Sequence, residues 1–185
     1  MKKIVISYGP TRVYIDEIMY LTYKSSKKTG QTLIKYLKED YNVVAIDADQ
    51  DFDLFQKQLF NELKDADVYI SAAAITDFVV DKVNHKIKKE EITSIPLKPA
   101  PDLLMKLKDQ KDLIKIGFKL DADIDNARQK LKTANLDAII YNPVAAMGSN
   151  NSSYVFINHN QEIKITKDTK EKNLKEIAAL IKKMI

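Results

Sequence analysis

Apolar positions along the chain switch between two periods. Short apolar runs at residues 3–7, 42–47, 67–74, 113–118 and 137–141 read as strands. Between them, apolar residues recur at spacings of three and four. Phe52, Phe55, Leu59 and Leu63 then share one face of a helix, and further helices are expected over 28–39, from near Pro101, and over 122–132. Residues 154–158 and 162–166 form a hairpin pattern across His159-Asn160-Gln161. A last helix from Thr169 turns Leu174, Ile177, Ala178 and Ile181 inward and its lysines to water. Residues 8–26 are a long connection with no assigned element, 75–89 are irregular, and 92–97 read as a short extended piece. Strand and helix alternate, which predicts an α/β fold: a Rossmann-like three-layer sandwich whose mostly parallel sheet carries helices on both faces and ends in a C-terminal β-hairpin. Ligands of such folds lie beyond the carboxyl ends of the strands, here the loops 8–26, 72–89, 118–123 and 142–151.

Composition narrows the classes. The chain has 185 residues, 45% hydrophobic and 30% charged, as expected for one globular domain spanning 1–185. No apolar run approaches the roughly 20 residues needed to cross a bilayer. Met1-Lys2-Lys3 runs straight into Ile4-Val5-Ile6 without a signal-peptide pattern, so a cytoplasmic protein is expected. Zero cysteines exclude disulfides, thiolate metal sites and a cysteine nucleophile, and two histidines far apart, His85 and His159, do not make a zinc site. A catalytic metal would be a hard cation such as magnesium, with ligands unassigned. The net charge of +4 suggests a basic nucleic-acid-binding domain, but 26 acidic residues are mixed among the lysines, and a solvated lysine-rich surface explains the charge better. Small phosphorylated ligands fit the same surface.

Only four glycines are present. Gly9, Gly117 and Gly148 sit in or just after strand-like runs and Gly30 lies where a helix begins, so each is expected where the backbone turns sharply or meets another group. Two arginines, Arg12 and Arg128, stand among 28 lysines, and Arg12 beside Gly9 is a candidate anion contact. Neither GxGxxG nor GxxxxGK[ST] occurs, which disfavours a dinucleotide or Walker site. Asp47 ends the second strand where a ribose-binding acid can stand, or it is a cap or turn residue. Ser71-Ala72-Ala73-Ala74-Ile75-Thr76-Asp77 ends a strand in tiny side chains and a carboxylate. That suits a ligand lying on the backbone, or a tightly packed strand end. In Lys86-Ile87-Lys88-Lys89, alternation puts Lys86 and Lys88 on one side.

The order of these segments changes their weight. Gly9-Pro10-Thr11-Arg12, Ile15-Asp16, Ser25-Ser26 with Gly30, Ala72-Ala73-Ala74 with Asp77, Lys86 to Lys89, Lys98 with Pro101-Asp102, Gly117-Phe118-Lys119-Leu120, Ala127-Arg128-Gln129-Lys130, Asn142 and Gly148-Ser149 follow one another. Together they resemble the phosphopantothenate–cysteine ligases (phosphopantothenoylcysteine synthetases) of coenzyme A biosynthesis. The resemblance implies a stand-alone ligase without the flavin-binding decarboxylase domain that many members carry. It implies CTP and magnesium, the substrates 4'-phosphopantothenate and cysteine, and a homodimer that completes its site across the interface.

By the same resemblance, Lys86 binds the triphosphate and stabilises the first transition state. Ala73, Ala74 and Asp77 line the junction of substrate and nucleotide, Phe118 packs on the nucleotide, and Lys130 contacts phosphate or base. Gly9, Thr11 and Arg12 form the loop beneath, Lys98 and Asp102 belong to the nucleotide side, and Ser25, Ser26 and Asn142 to the substrate side. The chain also departs from the family. Met19 replaces an arginine, Tyr23 the asparagine that handles the acyl-nucleotide, Lys27 the glycine of a Ser-Ser-Gly signature, and Ala134 a lysine for which Lys132 stands nearby. Tyr23 takes the asparagine's role if its hydroxyl serves. Otherwise the chain is a diverged nucleotide-binding relative that acts on another carboxylate or lacks the cysteine step.

Overall fold

The computed structural model describes residues 1–92, 94–144 and 153–185. Its elements run β1 (Lys3–Pro10), β2 (Arg12–Tyr14), β3 (Tyr20–Thr22), α1 (Lys28–Leu37), β4 (Asn42–Asp47), α2 (Phe52–Glu62), β5 (Val68–Ala74), β6 (Phe78–Val79), β7 (Lys98–Pro99), α3 (Leu103–Lys106), β8 (Ile114–Asp121), α4 (Ile124–Thr133), β9 (Ala138–Pro143), β10 (Tyr154–Asn158), β11 (Glu162–Ile165) and α5 (Lys170–Met184).

Seven strands form one sheet in the order β11-β10-β9-β8-β5-β1-β4. The pairs from β4 to β9 are parallel, and β10 and β11 add antiparallel as the expected hairpin. Both faces of the inner strands are apolar because both are covered. Ile4 and Ile6 pack with Leu33 and Leu37 of α1 and Leu174, Ile177 and Ile181 of α5. Val5, on the opposite face, packs with Phe52, Phe55 and Leu59 of α2 and Leu103 of α3. Ala127 and Leu131 of α4 cover Ile139 and Tyr141. The expected three-layer arrangement and all four inward positions of α5 are therefore observed.

Helix starts follow their caps. Asp51 accepts from the N–H groups of Asp53 and Leu54, Asp123 from that of Asp125, and Thr169 from that of Lys172. α1 differs: Lys27 precedes it at φ 60° with no side-chain cap. Two buried polar clusters are satisfied within the fold. Ser7 Oγ and Tyr69 Oη lie 2.9 Å apart inside the sheet. Lys115, almost fully enclosed, donates to the carbonyls of Gln110 at 2.8 Å, Leu107 at 3.4 Å and Lys108 at 3.5 Å, which closes the turn after α3.

Three expectations change. The connection 8–26 contains a hairpin, β2–β3, whose turn is built by Asp16: its Oδ1 accepts from Ile18 N at 2.7 Å and Met19 N at 2.6 Å. The extended piece expected over 92–97 is no strand among its described residues; the short strand falls at Lys98–Pro99 and pairs with β6. Lys86 to Lys89 do not alternate as a strand. They lie in irregular backbone leading into a turn, held because Ile87 N donates to Asp16 Oδ2 at 3.0 Å and Val83 N to Ile15 O at 2.9 Å. Gly148 and Ser149 lie outside the described residues.

Candidate functional site

The chain passes from β1 to β4 on one side and from β4 to β5 on the other, so the connections reverse direction around β1. Crevices open at such reversals. β5 stays paired with β1 as far as Pro10–Ala74, but its ladder with β8 ends at Ser71–Gly117. β8 instead continues along β9 to Asp121–Pro143. The two strands thus splay apart, and the backbone of Ala72, Ala73 and Ala74 loses its β8 neighbour. A cavity of 1540 Å³ occupies this opening. Small side chains on β5 leave the backbone accessible, which is the property the sequence suggested for this stretch.

Most of the candidate residues meet there. Ala73, Ala74 and Asp77 line one wall, Phe118 and Lys130 another, with Asp102 and Asn142 nearby, and Tyr23, Ser25 and Ser26 close the side toward α1. Tyr23 Oη donates to Asp77 Oδ2 at 2.7 Å and receives the Asp77 N–H at 3.4 Å. Partial burial, then the bond to Asp77, raises the Tyr23 hydroxyl above its ordinary value, so it stays protonated and able to donate near neutrality. Asp102 caps α3 through Leu104 N and Met105 N and pairs with the Lys130 ammonium. Among the described residues, Asn142 Oδ1 is shielded from solvent and has no donor within hydrogen-bond distance. An acceptor of that kind is open to an N–H or O–H donor.

Other candidates stand behind or away from the cavity. Gly9 has φ +83°, and a Cβ there would come 2.8 Å from Asp47 Oδ1. Thr11, buried, accepts from Thr76 N at 2.9 Å and donates its own N–H to Ala74 O at 3.2 Å, so the loop beneath holds the end of β5 in place. Arg12 is committed to Asp49 at 2.6 Å and stacks over Tyr20 at 4.9 Å. Lys98 pairs with Asp81 at 2.6 Å. Lys86 does not line this cavity and lies close enough to Asp16 to help hold that carboxylate ionised. Asp47 is a turn residue: it accepts from Asp49 N at 3.0 Å and from Lys27 Nζ at 2.8 Å.

The sequence reading missed the α5 end of the cavity. Thr169, Lys170 and Glu171 line it together with Lys28 and Lys35 of α1. Lys170 is half-buried rather than water-facing, and only the packing of α1 beside α5 reveals this. Lys27 was noted as a departure, and its conformation explains the position: φ 60° is the region where glycine is free of strain. Its side chain lies along Gly9 and its ammonium bridges Asp47 and Asp49 at 2.8 and 2.9 Å.

Residues 35–185 match the model of the DNA/pantothenate metabolism flavoprotein C-terminal domain. The chain belongs to that family. It is the phosphopantothenate–cysteine ligase family to which the ordered motifs pointed. A coenzyme A biosynthesis bifunctional protein, CoaBC, of Bacillus subtilis is 32% identical over 211 residues, covering 98% of this chain and 52% of that protein. The chain spans about half the length of the curated relatives first matched. The crystal structure of the DNA/pantothenate metabolism flavoprotein from Streptococcus pneumoniae superposes with a TM-score of 0.82 at 19% identity, covering 100% of this chain and 98% of that one. A Cab2 mutant in complex with phosphopantothenate-cysteine superposes with a TM-score of 0.74 at 16% identity, covering 98% and 86%. These likenesses establish the fold. Among the described residues no helix is long and apolar enough to cross a membrane.

Proposed function

We propose that the chain is a ligase that joins 4'-phosphopantothenate to cysteine with CTP, in coenzyme A biosynthesis. The observation that carries this reading is the splayed β5–β8 opening. It combines an unpaired backbone edge at Ala72–Ala74, a hydroxyl–carboxylate pair at Tyr23 and Asp77, and the enclosed acceptor Asn142 Oδ1 in one cavity of a member of this family.

The pantothenate carboxylate attacks the α-phosphorus, and the bond to the bridging oxygen breaks to release pyrophosphate. Cysteine nitrogen then attacks the acyl carbon, loses a proton and displaces CMP. The Ala72–Ala74 edge offers backbone hydrogen bonds to the nucleotide and Phe118 an aromatic face. Asn142 Oδ1 accepts from the pantothenate amide or hydroxyl, and Tyr23 Oη, turning its one proton away from Asp77, donates toward the acyl oxygen as negative charge builds there. Among the described residues no three acidic or histidine side chains gather to hold a metal ion. Magnesium would enter with the triphosphate, whose charge it screens, and Asp77 is one of the cavity carboxylates that could complete its shell.

Lys86 is the cation proposed to meet the triphosphate, and it stands outside the cavity of its own chain. The segment that carries it also exposes Ile92, Ile95 and Leu97, and the β2–β3 turn exposes Ile18 and Met19. This supports a homodimer in which each Lys86 serves the partner's cavity. Lys86→Gln should abolish CMP formation while leaving the fold intact. Mixing Lys86→Gln with an inactive Phe118→Asp variant should then restore part of the activity. Full turnover by Lys86→Gln would remove Lys86 from its role, and no recovery on mixing would place both residues in one subunit.

One observation favours a second reading. Tyr23 is engaged with Asp77, and Lys27 lies along Gly9, so the segment 23–27 departs from the pattern that the family resemblance implies. A diverged relative activating another carboxylate would release pyrophosphate from CTP without a cysteine-dependent product.

A further inference from the structure

The segment that carries Lys86 has no helix or strand of its own between residues 80 and 92. It is attached instead to the β2–β3 turn. Val83 N donates to Ile15 O at 2.9 Å, and Ile87 N to Asp16 Oδ2 at 3.0 Å. Farther on the segment closes on itself, with Lys88 N donating to Glu91 Oε2 at 3.1 Å and Glu91 N to Lys88 O at 3.1 Å. Asp16 thus grips the backbone one residue after Lys86. Its other oxygen, Oδ1, accepts from Ile18 N and Met19 N at 2.7 and 2.6 Å, so one carboxylate joins the turn to a backbone 71 positions away. Asp16 is 1% exposed. An enclosed charge is tolerable where fixed donors replace its water. The bonds from Met19, Ile18 and Ile87, and then the nearby Lys86 ammonium, hold the carboxylate below its ordinary range. The hairpin is fixed at its base as well. Thr22 Oγ1 donates to Thr11 O at 2.8 Å, and Tyr23, directly after β3, bonds Asp77 at 2.7 Å. The β2–β3 hairpin is therefore a strut with Tyr23 and Asp77 at its base and the Lys86 segment at its tip.

We propose that Asp16 is a positioning residue: by holding the Ile87 N–H it sets where the Lys86 ammonium meets the triphosphate. The proposal rests on the reading of Lys86 as the cation for that group. Asparagine separates the two tasks of the carboxylate. Its single carbonyl oxygen keeps both turn bonds when its NH2 faces Ile87, and only one bond when it is turned round. Asp16→Asn therefore preserves the hairpin and sets donor against donor at Ile87. Titration calorimetry with CTP and magnesium on the wild type, Lys86→Gln, Asp16→Asn and the double variant closes a cycle, with circular dichroism to verify folding and pyrophosphate release measured alongside. Each single substitution should weaken CTP about tenfold, the worth of one hydrogen bond to a charged group. The double variant should lose no more than Lys86→Gln alone, because a lysine that is absent cannot be misplaced. Losses that multiply in the double variant assign Asp16 to the fold alone and overturn the proposal. Unchanged CTP affinity in Asp16→Asn, or a wild type that does not bind CTP, overturns it too. If Lys86→Gln binds CTP as the wild type does, the reading of Lys86 falls and takes this role of Asp16 with it. If the cycle shows the coupling while no pyrophosphate is released, the positioning stands and the ligase reading falls. Where asparagine prevents folding, Asp16→Ser takes its place in the cycle, since a serine hydroxyl also accepts in such turns. If neither variant folds, Asp16 is a residue of the fold and the proposal is overturned.

Discussion

Gly30 lies in the first turn of α1, where alanine would ordinarily strengthen a helix by about 1 kcal/mol. Here the opposite is expected. A Cβ at this position would lie 2.1 Å from Tyr8 Cβ and 3.4 Å from Tyr8 Cα. Carbon atoms rest at about 3.5 Å or more, so the helix would have to retreat from β1 by about 1.4 Å. Side-chain rotation offers no relief, because the obstacle is the root of a side chain on an inner strand. The retreat would loosen Leu33 and Leu37, both fully buried against Ile4 and Ile6. Overpacking of this kind costs about 3 kcal/mol, at the upper end of its usual range. After the helix gain is subtracted, Gly30→Ala should destabilise the protein by about 2 kcal/mol, a fall in Tm of about 4–8 °C for a domain of this size. Thermal unfolding followed by circular dichroism reads this directly. A melting temperature equal to or above that of the wild type would refute the close approach of α1 to β1, and with it the placement of the α1 start at the cavity.

Lys27 separates backbone from charge: Lys27→Gly and Lys27→Ala both lose the bridge to Asp47 and Asp49, but only glycine is unstrained at φ 60°, so the glycine variant should be the more stable by about 1 kcal/mol in urea titrations. Asp16 accepts three backbone N–H groups, from Met19, Ile18 and Ile87, which hold its carboxylate below the ordinary range. Its folded value is the lower one, so this stabilisation is complete above the unfolded value of about 3.9 and is lost as pH falls below it. Asp16→Asn should therefore show a flatter decline of the urea midpoint between pH 5 and pH 3 than the wild type (about one unit either side of that value), and an equal decline would contradict the anchoring. Tyr23→Phe deletes the donor to Asp77; kcat should fall about tenfold, the worth of one hydrogen bond to a charged group, with KM for CTP unchanged in steady-state kinetics.

Periodicity carried most of the architecture. The apolar runs at 3–7, 42–47 and 67–74 alternate so regularly that strands, their two covered faces and the helices between them follow directly, as Ile4, Val5 and Ile6 illustrate. The β2–β3 hairpin escaped because its turn is made by Asp16 accepting backbone N–H groups rather than by an Asn-Gly or Gly-rich pair. Ala72, Ala73, Ala74 and Asp77 were legible as a site because small residues ending a strand carry local meaning. The opening they line was not legible, since it arises from where the β5–β8 ladder stops, a relation between residues about 46 positions apart. Lys28 and Lys170 were hidden for the same reason. A lysine on an amphipathic helix reads as solvated until the neighbouring helix is placed beside it.

The measurement that bears most directly on the ligase reading is pyrophosphate and CMP release by the purified protein with CTP, magnesium and 4'-phosphopantothenate, with and without cysteine. Pyrophosphate release should require 4'-phosphopantothenate, and CMP should rise with cysteine in step with the amide product. Pyrophosphate release that proceeds without 4'-phosphopantothenate, or CMP output that ignores cysteine, would contradict it.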